Sequence, residues 1–156
     1  MNHELTLERA RPEHAEMLTS IAVESKRHWG YPEQWIRIWI PQLTITRQYI
    51  DENETWLASV NGKAAGFVAF KQERDGAWWL DHLWVRPGEM GQGVGAALFR
   101  QAVKRARARG ASALWVEADP NAQSFYEKMG ARKTGERVGE VEGQPRILPV
   151  MEIYIK

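Results

Sequence analysis

The chain contains no cysteine. Disulfide scaffolds, thiolate metal sites and a cysteine acyl-enzyme are therefore excluded, so no group transfer passes through a cysteine thioester. Neither sign of charge is in excess: 21 Lys and Arg stand against 20 Asp and Glu, a formal net charge of +1. No whole-molecule field draws such a chain to nucleic acid or to an anionic membrane, and neither is an expected partner. No stretch approaches the roughly 18 apolar residues of a membrane span. Met1-Asn2-His3-Glu4 carries no apolar leader core, so the expected location is the cytoplasm. His3, His14, His28 and His82 never fall at i, i+3 or i, i+4, so no bound metal is expected.

What remains is an ordinary globular composition, 156 residues with 44% hydrophobic and 26% charged, sized for a single domain over residues 1–156. Eight tryptophans are its oddity. A short alternating stretch, His3 to Arg9, precedes Pro12 as a first helical residue. Met17, Leu18, Ile21 and Ala22 then repeat at helical spacing, with Lys26, Arg27 and His28 before Gly30. Glu33 to Ile40 predicts a second helix that Pro41 stops, with Trp35 and Trp39 on one face. Thr55–Val60 and Ala64–Phe70 flank Asn61-Gly62, a strong hairpin signal, and Asp75-Gly76 leads into Ala77–Val85: an antiparallel meander. A long helix to Arg109, a strand Ser112–Glu117, a short helix Asn121–Met129 and two strands around Arg132–Val138 and Ile147–Ile155 complete the pattern. The expected fold is α/β: a mixed sheet of six to seven strands, with one central strand-helix-strand crossover and flanking helices. Arg100, Lys104, Arg105, Arg107 and Arg109 are expected to form a solvated face of the long helix.

Between the meander and the long helix, Met90-Gly91-Gln92-Gly93-Val94-Gly95-Ala96 forms a glycine-rich turn. Its glycines permit positive φ, so backbone N–H groups can converge on a phosphate at the helix N-terminus. The pattern also satisfies G-x-G-x-x-G/A, with Glu117 placed to hold a ribose, which keeps an NAD(P)-dependent oxidoreductase as an alternative. Against it, Pro87 to Met90 separate the turn from its strand, and the preceding strands are hairpin-joined where a parallel sheet is needed.

Val85-Arg86-Pro87, the glycine turn through Leu98, and Asn121-Ala122-Gln123-Ser124-Phe125-Tyr126-Glu127-Lys128-Met129-Gly130-Ala131 together resemble the GNAT superfamily of acyl-CoA-dependent N-acyltransferases. The segments His28-Trp29-Gly30-Tyr31 and Leu148-Pro149 resemble a bacterial-type branch of N-acetyltransferases. The resemblance implies acetyl-CoA as co-substrate, bound by Leu83, Val85, Met90, Gly91, Gln92, Gly93, Val94, Gly95, Ala96, Asn121 and Tyr126. It also implies a small-molecule amine as acceptor, and a homodimer is compatible with it. Met90 departs from the family pattern, which carries Arg there; one phosphate partner is removed and the backbone donors remain.

Acetyl transfer to an amine requires a neutral nucleophile, a stabilised oxyanion and a proton for the leaving thiolate. An amine of pKa ~10.4 is neutral in about one molecule in a few thousand at pH 7, so a base or a desolvating pocket must help. By resemblance Tyr126 is the general acid, and a backbone N–H of Leu83–Val85 serves the oxyanion. Glu117 and His82 are both candidates for the base, directly or through water. Asp81 is expected to be a solvated strand residue, since strand alternation lets only one of Asp81 and His82 face the cleft unless a bulge intervenes. Asn121 is expected to cap the short helix while contacting the pantetheine arm. Trp29 and Tyr31 are candidates for the acceptor rim, and Trp35 and Trp39 for the core. Seven tryptophans fall in segments that build the cleft, leaving Trp56 on an outlying strand. A non-catalytic acyl-CoA sensor fits the same residues.

Overall fold

In the computed structural model, which describes residues 4–156, the alternating segments become strands β1 (Leu5–Arg9), β2 (Glu54–Val60), β3 (Lys63–Gln72) and β4 (Trp78–Val85). Each pairs antiparallel with the next. Of the expected first stretch, His3 lies outside the described residues. Three helices separate β1 from β2: α1 (Ala15–Arg27), led by a 3-10 turn at Pro12–His14, then α2 (Glu33–Leu43) and α3 (Arg47–Glu52). The crossover follows as α4 (Val94–Ala108) and β5 (Ala113–Glu117), then α5 (Gln123–Lys128), β6 (Arg132–Val141) and β7 (Gln144–Tyr154). The seven strands lie in the order β1-β2-β3-β4-β5-β7-β6, and only β4 and β5 are parallel neighbours. This is the expected mixed sheet. It does not provide the parallel sheet that the dinucleotide alternative needs.

Both faces of the sheet are covered. Val68, Phe70, Leu80 and Met151 pack beneath Leu98, Phe99 and Ala102 of α4, while Leu57 and Phe67 meet Leu18, Ile21 and Ile36 of α1 and α2 on the other side. Fully burying one such side chain contributes about 1.5–3 kcal/mol relative to exposure, so these two layers hold the sheet.

Three expectations change. Pro41 does not stop α2, which runs to Leu43. A proline in the last turn removes only the bond to the Arg37 carbonyl, and the Thr44 hydroxyl donates to the Ile40 carbonyl at 2.7 Å, supporting the end. The helix α3, absent from the sequence reading, is capped by Thr46, whose side chain accepts from the Tyr49 N–H. The face expected to be solvated is not uniformly so: Arg105 Nε donates to the buried Glu54 carboxylate at 2.6 Å and Arg109 reaches it at 3.5 Å. Their guanidinium groups lie 6.0 Å from the Trp56 ring centroid and 5.0 Å from that of Trp78.

The pairing of β3 with β4 shifts register between Ala69 and Phe70, leaving Asp81 as an extra residue on β4. Before it Trp78 and Leu80 face α4. After it Leu83 and Val85 do, so the alternation restarts one residue late. Gly66, opposite Val85, permits the closest approach in this region. A Cβ there would stand 2.5 Å from the Trp84 carbonyl oxygen and 3.1 Å from Leu98 Cδ1. Gly66→Ala is expected to lower stability by about 1–3 kcal/mol in urea denaturation; an unchanged midpoint would contradict the tight packing of β3 on β4.

Candidate active site

Past the pair Trp79 and Trp115, β4 and β5 share no further register. The strands splay, and the wedge between them opens into a cavity of about 480 Å3. At one end lies the glycine turn. Gly91 and Gly93 sit at φ 83° and 82°, and Gly93 caps α4 from the left-handed region. The first α4 bond runs from the Ala97 N–H to the Gly93 carbonyl at 3.0 Å, which leaves the N–H groups of Val94, Gly95 and Ala96 without helical partners. The donors and the positive helix end suit a phosphate, and the wedge beyond them suits an extended arm. The turn thus fits the phosphate end of coenzyme A without the arginine that Met90 replaces.

Tyr126 and Glu117 also line the wedge. Tyr126 is 5% exposed, and its hydroxyl hydrogen-bonds none of the described residues. Burial, aided by the Asp119 carboxylate, pushes its phenol above the ordinary value, so it remains protonated at neutral pH. Glu117 ends β5, with Arg137 on its outer side at 2.6 Å. Of the other residues expected at the site, His82, Leu83, Val85, Met90, Gly91, Gly93, Val94, Gly95, Ala96, Asn121 and Trp29 line this cavity; Gln92 and Tyr31 do not.

The bulge changes the reading of β4. Asp81 and His82 both face the helices α1–α3, and both line the wedge and a second cavity of about 490 Å3 beside it. Asp81 is not simply solvated: it accepts a short hydrogen bond from the Tyr49 hydroxyl. Burial lowers the His82 pKa, which keeps the ring neutral at neutral pH. Because an indole N–H only donates, the 3.0 Å contact between Trp84 Nε1 and His82 Nδ1 puts the histidine proton on Nε2. The ring's lone pair is thus engaged by Trp84.

A network unanticipated from sequence forms the wall between the two cavities. Asp119 accepts from Lys26 Nζ at 2.7 Å, from the Tyr31 hydroxyl at 3.0 Å and from the Asn121 N–H at 2.9 Å, with Arg146 Nη2 at 3.3 Å. Asp119, not Asn121, caps the turn before α5; the Asn121 amide donates to Asp119 and to the Tyr31 hydroxyl. Burial opposes the Asp119 charge, but Lys26 and the hydrogen bonds hold its carboxyl below the usual aspartate value. Trp39 is buried, yet it faces the second cavity and carries Lys26 at 4.5 Å and Arg146 at 4.7 Å over its ring. Trp29 lines the wedge but not the second cavity and is 38% exposed. Trp84 borders both cavities, whereas Trp35 stacks on Tyr31, Trp78 packs on Phe70 and Trp79 packs on Trp115.

Two signals for this network exist in the sequence. Lys26 falls on the buried stripe Leu18-Ile21-Ala22-Ser25 of α1, an unusual place for a lysine. Asp119-Pro120-Asn121 is a capping pattern that ends the crossover strand.

The model of the acetyltransferase (GNAT) family matches residues 15–131, and the chain belongs to that family. It is 36% identical over 87 residues to the streptothricin acetyltransferase of Streptomyces lavendulae, an alignment covering 51% of this chain and 44% of that protein. The chain spans less than half the length of the curated relatives it matches. Among solved structures, one described as "GCN5-Related N-acetyltransferase: Aminotransferase, Class-II" from Rhodopseudomonas palustris superposes with a TM-score of 0.81 at 25% identity, over 99% of this chain and 98% of that one. The PaiA N-acetyltransferase of Thermoplasma acidophilum, solved with coenzyme A, shares the fold with a TM-score of 0.74 at 20% identity, over 97% and 99% of the two chains.

The Asp119 network carries a pH signature. Its folded pKa lies below the unfolded value, so its stabilisation is complete above about pH 4 and is lost as pH falls through the lowered value. Asp119→Asn is expected to cost about 3–5 kcal/mol at pH 7, because Lys26 and Arg146 lose their shared counter-charge. The variant should also lose less further stability than the wild type between pH 5 and pH 2 in chemical denaturation. Equal midpoints at pH 7 would contradict this weight.

Proposed function

We propose that the protein transfers an acetyl group from acetyl-CoA to a primary amine by direct attack while both substrates are bound. The observation that carries this reading is the splayed wedge, with free N–H groups of α4 at one end and both Tyr126 and Glu117 in its lining. It joins an anion cradle to an acid and a base in a chain of the GNAT family.

The reaction forms a bond from the amine nitrogen to the acetyl carbon and breaks the carbon–sulfur bond. Glu117, at the wedge mouth, accepts the proton that frees the amine lone pair, directly or through water. A backbone N–H of Leu83–Val85 donates to the carbonyl oxygen as it gains charge. Tyr126 donates to the departing sulfur and is reprotonated by the second proton that the nitrogen sheds, so that one proton reaches solvent per turnover. Asn121 holds the pantetheine arm near the start of α5. His82 joins Asp81 in the polar wall beside the amine and takes the base role only where Trp84 releases Nδ1. Trp29 borders the cofactor end, and Tyr31 fixes the acceptor wall through Asp119.

Thiol release from acetyl-CoA over a panel of primary amines tests the reading, and the absence of protein thiols removes background. Tyr126→Phe is expected to lower kcat by about 10²-fold while the melting-temperature rise with CoA persists. Undiminished turnover in that variant would remove Tyr126 as the acid. CoA binding without thiol release from any amine would favour the sensor, and stabilisation by NADH but not CoA would favour an oxidoreductase.

A further inference from the structure

We propose that the acceptor is an amino carboxylate, its carboxylate read by Arg146 together with Lys26. The inference rests on the transferase reading and deepens it.

The argument begins with a charge surplus. Lys26 and Arg146 bring two cations to the wall between the cavities, with side chains 10% and 16% exposed, and they share one carboxylate, Asp119. That carboxylate is saturated. Both cations converge on its Oδ2, while Oδ1 takes the Tyr31 hydroxyl, the Asn121 N–H and the Asn121 amide. The other wall carboxylates are engaged elsewhere, Glu117 by Arg137 and Asp81 by Tyr49. A half-desolvated cation without its own counter-ion is costly, and an incoming anion relieves that cost.

The shape of the surplus selects the anion. The Arg146 guanidinium lies against both the Tyr31 and the Trp39 ring, 4.9 and 4.7 Å from their centroids, and these two rings meet edge to face at 5.0 Å. Of its five donors, the contacts at 3.3 Å to the Tyr31 hydroxyl and to Asp119 use two. Arg146 borders both cavities and its Nε has no partner among the described residues, so a planar fork with unused donors stands in the wall between them, an arrangement that matches a carboxylate.

Opposite charge lies on the same wall. The bulge in β4 turns Asp81 into the space that Glu117 also borders; Arg137 takes Glu117 Oε1, which leaves Oε2 for an ammonium, while Tyr49 and, at 3.8 Å, Lys71 occupy Asp81. Cations and anions along one wall suit a ligand bearing both charges close together. The second cavity, about 490 Å3, is in the range of small-molecule sites and extends toward Gln42 and Thr44, where a side chain can lie. A polycationic amine would bring like charge against Lys26 and Arg146, and a protein N-terminus presents no carboxylate beside its amine.

The test is thiol release from acetyl-CoA with free amino acids, their carboxamides and the corresponding decarboxylated amines. The best acceptor is expected to be a free amino acid, with kcat/KM at least about 30-fold above its own carboxamide and amine. Arg146→Gln is expected to remove that preference by lowering turnover of the acid while leaving the carboxamide within about threefold, and Arg146→Lys to keep part of it. A carboxamide or simple amine used as well as the acid, or an equal loss on acid and carboxamide in Arg146→Gln, would overturn the inference and leave acetyl transfer standing. Release with none of the compounds would count against acetyl transfer instead. The carboxylate site is then read from melting temperature in the presence of CoA: a rise with the amino acids, absent with their carboxamides and abolished in Arg146→Gln, supports it, and no such difference overturns it.

Discussion

Parallel neighbours in a sheet normally exchange hydrogen bonds along their whole length, but β4 and β5 meet only at Trp79 and Trp115. The rest of the site depends on that separation. Leu80 to Val85 expose a strand edge inside the molecule, and an unpaired edge is a template for an extended, amide-bearing chain. The covered faces of the sheet keep the gap from closing: α4 lies over one side, and α1 is pinned to the end of β4 by the Ser25 hydroxyl, which donates to the Val85 carbonyl at 2.6 Å. The glycine turn then points its free N–H groups toward the near end of the opening, and Tyr126 reaches it from α5.

The wall between the two cavities is assembled differently, by charge rather than by strand geometry. Lys26 from α1, Tyr31 from the turn before α2, Asp119 and Asn121 from the segment after β5, and Arg146 from β7 meet in one network. These segments are far apart in sequence, and the single carboxylate at their centre ties them together. The arrangement binds the α1–α2 region to the C-terminal hairpin, and it leaves positive charge facing the cavity. One residue, Asp119, thereby acts in folding and shapes the chemistry of what can enter.

Local signals revealed much of this. Asn61-Gly62 and Asp75-Gly76 marked the meander, Pro12 and the apolar spacing marked α1, and the glycine turn with the Asn121-to-Ala131 segment marked the family. The parts that escaped are tertiary. The bulge at Asp81 is a mismatch between two strands and exists only once β3 is paired. Pro41 is tolerated because its lost bond falls in the last turn of α2, and α3 is a six-residue helix with a single start signal, the Thr46 cap. Lys26 is signalled only by its place on the buried stripe of α1 and Arg146 by no motif; their shared partner, 93 and 27 positions away, is met only when the chain folds. The helical spacing of Trp39 marks it as core and it is buried, yet its ring face also supports the two cations.

The most direct test of the central claim is a crystal structure with coenzyme A. The account predicts the pantetheine amides hydrogen-bonded along Leu83–Val85, the pyrophosphate on the N–H groups of Val94 to Ala96, and the sulfur within about 4 Å of the Tyr126 hydroxyl. Coenzyme A bound outside the wedge, or with its sulfur remote from Tyr126, would contradict it.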